Sequence, residues 1–358
     1  MYQLPQKLRA LTPYEPNTGV YTVRVDANES FLEPPEELRR QIAQAVSALP
    51  FNRYPDPCCT VLRQSFGRYF GVDPSLVVAG NGSDELIGLI FSGFTGPDDT
   101  VVTVSPDFSM YDFYAQFNGA RVIRLDKSPD QLALDPDRLI QLARKEKAGV
   151  VIFSNPCNPT SLTASAEDIR RIVEALEDCL VVVDEAYMEF SSGSVLSLAA
   201  QTNNLIVLKT FSKAFGMAGI RLGFAVASPQ IARALDAARS PYNVNAMTQA
   251  VGTLLLRQKA YLEECSQTIC RSRDDLYQAI EALAKKYPRQ LSGVVNTTAN
   301  FVFLRPSDAE ELFRWFGNRG IAVRKLGDYL RISAGSPSDN AAVLEMLEEY
   351  LKGKEPQA

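Results

Sequence analysis

The stretch Leu205-Ile-Val-Leu-Lys-Thr-Phe-Ser-Lys-Ala-Phe-Gly-Met-Ala-Gly-Ile-Arg-Leu-Gly-Phe-Ala-Val-Ala227 decides the fold. Two apolar runs, 205–208 and 222–227, flank a polar loop that contains glycine. Runs of the same kind stand at 101–104, 150–153 and 180–183, with helix-like segments such as 135–147 and 166–176 between them. An unbroken apolar run is the mark of a strand buried on both faces. Such strands alternating with helices build an α/β architecture, a mostly parallel sheet covered by helices on both sides. Ligands in such sheets bind beyond the carboxyl ends of the strands.

Outward from this centre the pattern changes. Residues 36–49 have helical spacing after Pro34-Pro35, a helix-start signal, and 61–70 reads as a second helix. The first thirty residues, with Pro5, Pro13, Pro16 and Gly19, read as an irregular arm lying over another surface. From 247 to 283 the pattern is one long helical stretch. Beyond it, short strands are predicted at 300–304, 321–323 and 329–332, with helices at 309–317 and 340–351. The expected division is an N-terminal arm (1–30), a large domain (31–250) and a small C-terminal α/β domain (251–358).

Composition narrows the chemistry. The 358 residues carry a net charge of −5, which argues against nucleic-acid or anionic-membrane partners. No run approaches a membrane span, and residues 1–10 lack the apolar core of a secretory leader, so a cytoplasmic location is expected. The six cysteines form no C-x-x-C pair and read as reduced packing thiols; no metal site is expected. The chain has no histidine, which removes Ser-His-Asp and Cys-His catalysis and the histidine zinc motifs. Acid–base work falls to Lys, Asp, Glu, Tyr or Cys.

Four polar clusters follow predicted strands. In the first, Lys213 is an amine able to form an imine, and Thr210, Ser212 and Arg221 suit a phosphate, because hydroxyls donate and a guanidinium grips oxyanions bidentately. A lone Ser-Lys pair would read as a solvated loop; the whole string does not. In the second, Val183-Asp-Glu-Ala-Tyr187, Asp184 ends a strand where a carboxylate can pair with a protonated ring nitrogen, and Tyr187 follows. Alone, such an aspartate reads as a helix cap. In the third, Ser154-Asn-Pro-Cys-Asn-Pro-Thr160, two prolines stiffen a loop presenting Asn158 as a donor, although an Asn-Pro pair is also ordinary turn chemistry. In the fourth, Gly80-Asn-Gly-Ser-Asp-Glu85, a turn opens a helix whose free N–H groups suit a phosphate; Ser83 or Asp84 could equally be simple caps. Phe108 could lie flat on a heteroaromatic ring or pack in the core.

Together these strings resemble the fold-type-I pyridoxal-5′-phosphate (PLP) aminotransferases of class I/II, and within them the histidinol-phosphate aminotransferase branch. Val25-Asp-Ala-Asn-Glu29, Asn52-Arg-Tyr-Pro-Asp56, Val323-Arg324 and Tyr329-Leu-Arg-Ile-Ser-Ala-Gly335 extend the resemblance over nearly the whole chain. It implies a large domain with a mostly parallel seven-stranded sheet and a smaller α/β domain. It implies that Lys213 forms the Schiff base with PLP and that Asp184 pairs with the ring nitrogen. Asn158 and Tyr187 would contact the ring's phenolic oxygen, and Phe108 would stack on the ring. Ser83, Asp84, Thr210, Ser212 and Arg221 would surround the cofactor phosphate. Arg331 would take the substrate α-carboxylate, Arg324 its distal group, and Asn28 would border the substrate. Tyr54 would reach the cofactor phosphate of a neighbouring subunit, implying a homodimer with shared sites.

The implied reaction is amino transfer between an amino acid or amino phosphate and a 2-oxo acid such as 2-oxoglutarate. Decarboxylation of the threonine-phosphate type and broad aromatic transamination are the alternatives. The chain departs from the family pattern at Ser161, where glycine usually follows Asn-Pro-Thr, at Ser30-Phe31, and in the short segment between Arg324 and Arg331. The first departure is expected to alter only a turn.

Overall fold

The computed structural model describes residues 2–9, 11, 17–128 and 130–354. Pro13 and Pro16 of the arm lie outside the described residues. The strands, in chain order, are β1 (Val23–Arg24), β2 (Val77–Gly80), β3 (Thr100–Ser105), β4 (Arg121–Asp126), β5 (Val150–Ser154), β6 (Leu180–Asp184), β7 (Leu205–Thr210) and β8 (Gly223–Ala227), then β9 (Leu291–Val295), β10 (Phe301–Pro306), β11 (Ile321–Ala322), β12 (Arg324–Leu326) and β13 (Tyr329–Ser333). Seven of them form one sheet in the order β2-β8-β7-β6-β5-β3-β4. β8 runs antiparallel to both its neighbours, and the other paired strands are parallel.

The central strands are buried on both faces, as their sequence requires. Side chains alternate: Val151, Phe153, Val181, Val183 and Val207 join one apolar cluster, while Ile152, Val182, Ile206 and Leu208 join another on the opposite face. The helices Pro136–Glu146 and Ala166–Ala175 supply Leu139, Ile169 and Ile172 to the first cluster; Ser83–Phe94 supplies Leu86 and Ile90 to the second.

A second, antiparallel sheet, β12-β13-β10-β9, packs in a third cluster with Leu276, Ile280, Val343 and Leu347 from two helices. The arm is not irregular throughout. Gln6–Arg9 makes one helical turn, and β1 pairs in parallel with β11, burying Val25 in the third cluster. The long helical stretch expected over 247–283 is two helices, Ala246–Leu255 and Lys259–Lys286. The second carries Leu262 and Ile269 into the first cluster and Leu276 and Ile280 into the third, so the chain passes between the two sheets along this one helix.

Register positions the site. Parallel pairing sets Ser154 beside Asp184. Antiparallel pairing brings Gly223 beside both Thr210 and Gly80. The four polar clusters of the sequence therefore emerge at one end of the large sheet.

Candidate active site

Asp184 is buried at the end of β6. Its Oδ2 accepts a hydrogen bond from Tyr111 Oη at 2.8 Å and its Oδ1 accepts one from the Ala186 amide at 3.1 Å. Burial pushes its carboxyl up to about 7, against the pull of these two donors. A carboxyl so placed is suited to a cationic N–H partner, which would return it to the ionised form. Tyr111, on the helix Met110–Phe117, is itself buried, and Phe108 meets its ring edge-to-face at 5.4 Å.

A second network centres on Asn28. Its φ of 53° lies in the left-handed region that asparagine tolerates. Asn28 Nδ2 donates to Tyr187 Oη at 2.9 Å, and the Asn28 amide and Oδ1 both engage Ser333 Oγ at 2.9 Å. Asn300 Nδ2 donates to the Asn28 carbonyl at 3.1 Å. Tyr187 packs edge-to-face on Phe301 at 5.4 Å, and Lys213 Nζ lies 6.0 Å from the Tyr187 ring centroid. Lys213 Nζ donates to the Ala27 carbonyl at 2.9 Å, so the N-terminal segment closes over the lysine loop.

Arg331 joins these parts. Its Nη1 donates to Asn158 Oδ1 at 2.6 Å and its Nη2 to the Asp26 carbonyl at 2.6 Å, while the guanidinium lies 5.4 Å from the Phe301 ring centre. The Asn158 amide donates to Ser154 Oγ at 3.0 Å. The Ser154 hydroxyl donates to Asp107, whose carboxyl is raised by burial. Asn158 is thus held by its carbonyl oxygen and backbone, which leaves its side-chain amide as the donor.

The third group is a cradle. Thr210 Oγ1 and Ser212 Oγ are 3.1 Å apart, Arg221 Nη1 donates to Ser212 Oγ at 3.3 Å, and Arg221 Nη2 stands 3.4 Å from Asp84. The helix Ser83–Phe94 starts here with Gly82 as its cap, so no side chain occupies its first N–H groups. A Cβ on Gly223 would come within 2.4 Å of the Ser83 amide nitrogen, and one on Gly82 within 2.7 Å of Arg221 Nη2. Free N–H groups, two hydroxyls and a guanidinium form a donor set for a phosphate. Asp84 brings a carboxylate here too, but Arg221 engages it, and its backbone N–H is the part that suits an anion. An amine, a buried carboxyl awaiting a cation and this cradle together fit PLP.

Lys213, Asp184, Tyr187, Asn28, Asn158, Arg331, Phe108 and the cradle residues thus gather at one sheet end, linked directly or through Tyr111 and Ser154. Two predicted residues stand apart. Tyr54 is 80% exposed and stacks on Tyr242 with ring centroids 4.5 Å apart. Arg324 is exposed on β12, directly opposite Arg331 in register. Its neighbour Lys325 is tied to Glu310 in a close ion pair. Sequence reading missed Tyr111, Asp107, Ser154 and Ser333. Tyr111 lies one helical turn beyond Phe108, but nothing in the string indicates its partner Asp184, 73 residues away.

Residues 20–347 match the family Aminotransferase class I and II. A histidinol-phosphate aminotransferase from Clostridium novyi is 35% identical over 347 residues, 95% of either chain. A crystal structure of histidinol-phosphate aminotransferase from Sinorhizobium meliloti in complex with pyridoxal-5′-phosphate superposes with a TM-score of 0.88 at 25% identity, covering 99% of this chain and 98% of that one. The fold is also shared with an L-threonine-O-3-phosphate decarboxylase from Porphyromonas gingivalis, with a TM-score of 0.79 at 21% identity over 92% of this chain and 99% of the other. A family match spanning both sheets, on a chain whose strand ends assemble an amine, a buried carboxyl and a phosphate cradle, places this protein in the class I and II aminotransferases as a PLP-dependent transaminase.

Proposed function

We propose that the protein moves an amino group between an amino phosphate of the histidinol-phosphate type and a dicarboxylic 2-oxo acid such as 2-oxoglutarate. The observation that carries this reading is the register of β12 and β13. Arg324 and Arg331 face each other directly across the strand pair, on the same face of the sheet. Like charges so opposed are destabilising unless an anion lies between or beside them. Arg331 is engaged by Asn158 and Asp26, whereas Arg324 makes no ion pair among the described residues. A ligand with a phosphate or two carboxylates satisfies this arrangement; an aromatic amino acid, with one carboxylate, leaves Arg324 unanswered.

In this reading Arg331 grips the α-carboxylate of the 2-oxo acid and its amino-acid partner and Arg324 their distal carboxylate, whereas histidinol phosphate has no carboxylate and its phosphate is shared by both. When bound, PLP supplies an aldehyde and an electron-accepting ring. Asp184, held by Tyr111, keeps a proton on the ring nitrogen. Asn158 and Tyr187 donate towards the ring oxygen, Phe108 covers the ring, and the Ser83, Thr210, Ser212 and Arg221 cradle holds the phosphate. Lys213 would hold the cofactor through its aldehyde, and its Nζ would carry the proton from the substrate α-carbon. No step needs histidine. With Arg331 gripping the carboxylate, the α C–H bond, not the carboxyl bond, is presented for cleavage, which favours transamination over the decarboxylation known on this fold.

The same reading makes the enzyme a homodimer. Phe51, Tyr54, Tyr242 and Met247 line an exposed groove of about 530 Å³, and clustered exposed apolar groups of this kind mark association sites. Tyr54, exposed on its own chain, would then reach the neighbour's site.

The test is a half-reaction screen. Purified protein is mixed in turn with L-histidinol phosphate, glutamate, aromatic amino acids and phosphothreonine, and the visible absorbance of the bound cofactor is followed. Loss of the band with histidinol phosphate and glutamate is expected. A response to aromatic donors alone, or carbon dioxide release from phosphothreonine, would overturn the substrate reading.

A further inference from the structure

Ser161 does more than shape a turn. It is fully buried, and its φ of 64° lies where a side chain is strained and glycine is at ease. Its hydroxyl is saturated. Ser161 Oγ accepts from the amides of Thr298 at 2.9 Å and Ala299 at 2.8 Å. It lies 2.8 Å from Thr297 Oγ1, whose own proton is committed to the Phe301 carbonyl at 2.6 Å. Ser161 must therefore donate to Thr297, using its one donor and both acceptor positions. On the other side the Ser161 amide donates to the Cys157 carbonyl at 2.7 Å, closing the loop that carries Asn158.

The segment 297–299 leads directly into β10, which opens with Phe301. The Phe301 ring lies beneath Arg331 and against Tyr187. A relay of hydroxyls thus runs from Ser161 through Thr297 to the Phe301 carbonyl. One end of the Asn158–Arg331 contact stands on the loop that Ser161 closes, and the other stands over the strand that Ser161 anchors. Glycine here would relieve the backbone and lose the three bonds of the Ser161 hydroxyl.

We propose that Ser161 is a positioning residue for substrate: its hydroxyl sets the separation between the Asn158 loop and β10, and through it the geometry with which Arg331 receives a carboxylate. This inference rests on the carboxylate role of Arg331 proposed above. It predicts a larger effect on substrate affinity than on cofactor retention: Asn158 also faces the cofactor's ring oxygen in this reading, but the phosphate cradle and Asp184 lie on other strand ends.

The experiment compares the wild-type holoenzyme with Ser161→Ala, Ser161→Gly and Arg331→Ala, with maleate as a non-reacting dicarboxylate probe. Its dissociation constant is read from the perturbation of cofactor absorbance, beside KM and kcat for glutamate, which carries a carboxylate, and the affinity for PLP. Both Ser161 variants are expected to weaken maleate binding and raise KM about tenfold, with kcat and PLP affinity within about twofold. Ser161→Gly has the backbone freedom to fold even where Ser161→Ala does not. If Arg331→Ala loses maleate and both Ser161 variants bind it as wild type does, the inference fails alone. Maleate bound equally by wild type and Arg331→Ala would remove the carboxylate reading and the inference with it. A Ser161 effect confined to melting temperature and cofactor content, with KM unchanged, would mark a structural role only and also overturn the inference.

Discussion

At the scale of single residues, the site is built on a carboxyl taken out of water. Asp184 has its ordinary value near 3.8 in the unfolded chain and about 7 in the fold. The fold favours the protonated form, so its stabilising contribution is fully present below the unfolded value and is lost as pH rises through about 7. Thermal melts of cofactor-free protein should therefore show Asp184→Asn raising Tm more at about pH 8 than at about pH 5; an equal difference at both would contradict the burial argument. PLP bound as proposed would change this balance by bringing a cation to the carboxyl. Tyr111→Phe removes one of its two donors and should weaken PLP binding about tenfold, a loss that titration of the cofactor-free protein measures. Lys213→Ala should abolish turnover while the protein still folds; normal activity in that variant would remove Lys213 from its role. Lys213 and Asp184 stand out in the sequence because each sits in a long distinctive string. Tyr111 does not, since a tyrosine on an apolar helix reads as core until its partner is brought to it.

Among elements, the seven-stranded sheet shows where pattern suffices. The strands β3 and β5 to β8 are apolar runs with both faces buried, and the sequence announces them. At the sheet edges it does not. β4 breaks its apolar residues with Arg121, Arg124 and Asp126, all exposed, and β2 has only four residues, so both depend on a neighbouring strand to be strands at all. The break between Ala246–Leu255 and Lys259–Lys286 is equally silent, because apolar spacing continues across it. The close passage of β8 over the start of the helix Ser83–Phe94 yields a prediction at this scale. Gly223→Ala would force a methyl to within 2.4 Å of a backbone nitrogen, where no side chain can yield. It should cost about 1–3 kcal/mol, lower Tm by several degrees, and reduce PLP retention by opening the cradle; calorimetry and cofactor titration read the two effects separately.

For the whole molecule, we propose the division into a large part (31–250) and a small part (251–358), with the helix Lys259–Lys286 as the connector. The arm's β1 strand and Asn28 tie the small sheet back over Lys213. The exposed cluster around Tyr54 predicts a particle of twice the 39.5 kDa chain mass, readable by light scattering. Shared sites make a sharper claim. Mixing Lys213→Ala with Tyr54→Ala should restore one intact site in each hybrid dimer, so the mixture should exceed both parents; activity equal to their average would rule out sharing.

The sequence by itself determined the α/β class, the cofactor and the polar strings that follow the strands. Apolar periodicity and distinctive strings are local properties, and a local reading recovers them. The departure at Ser161 was visible as a letter, but its consequence was not. Its partners at 297–299 lie in another part of the chain, and so does Asp184 for Tyr111. Which polar groups share a buried space, and therefore which carboxyl is raised and which hydroxyl is saturated, is set by strand order and register. Only the tertiary structure decided these.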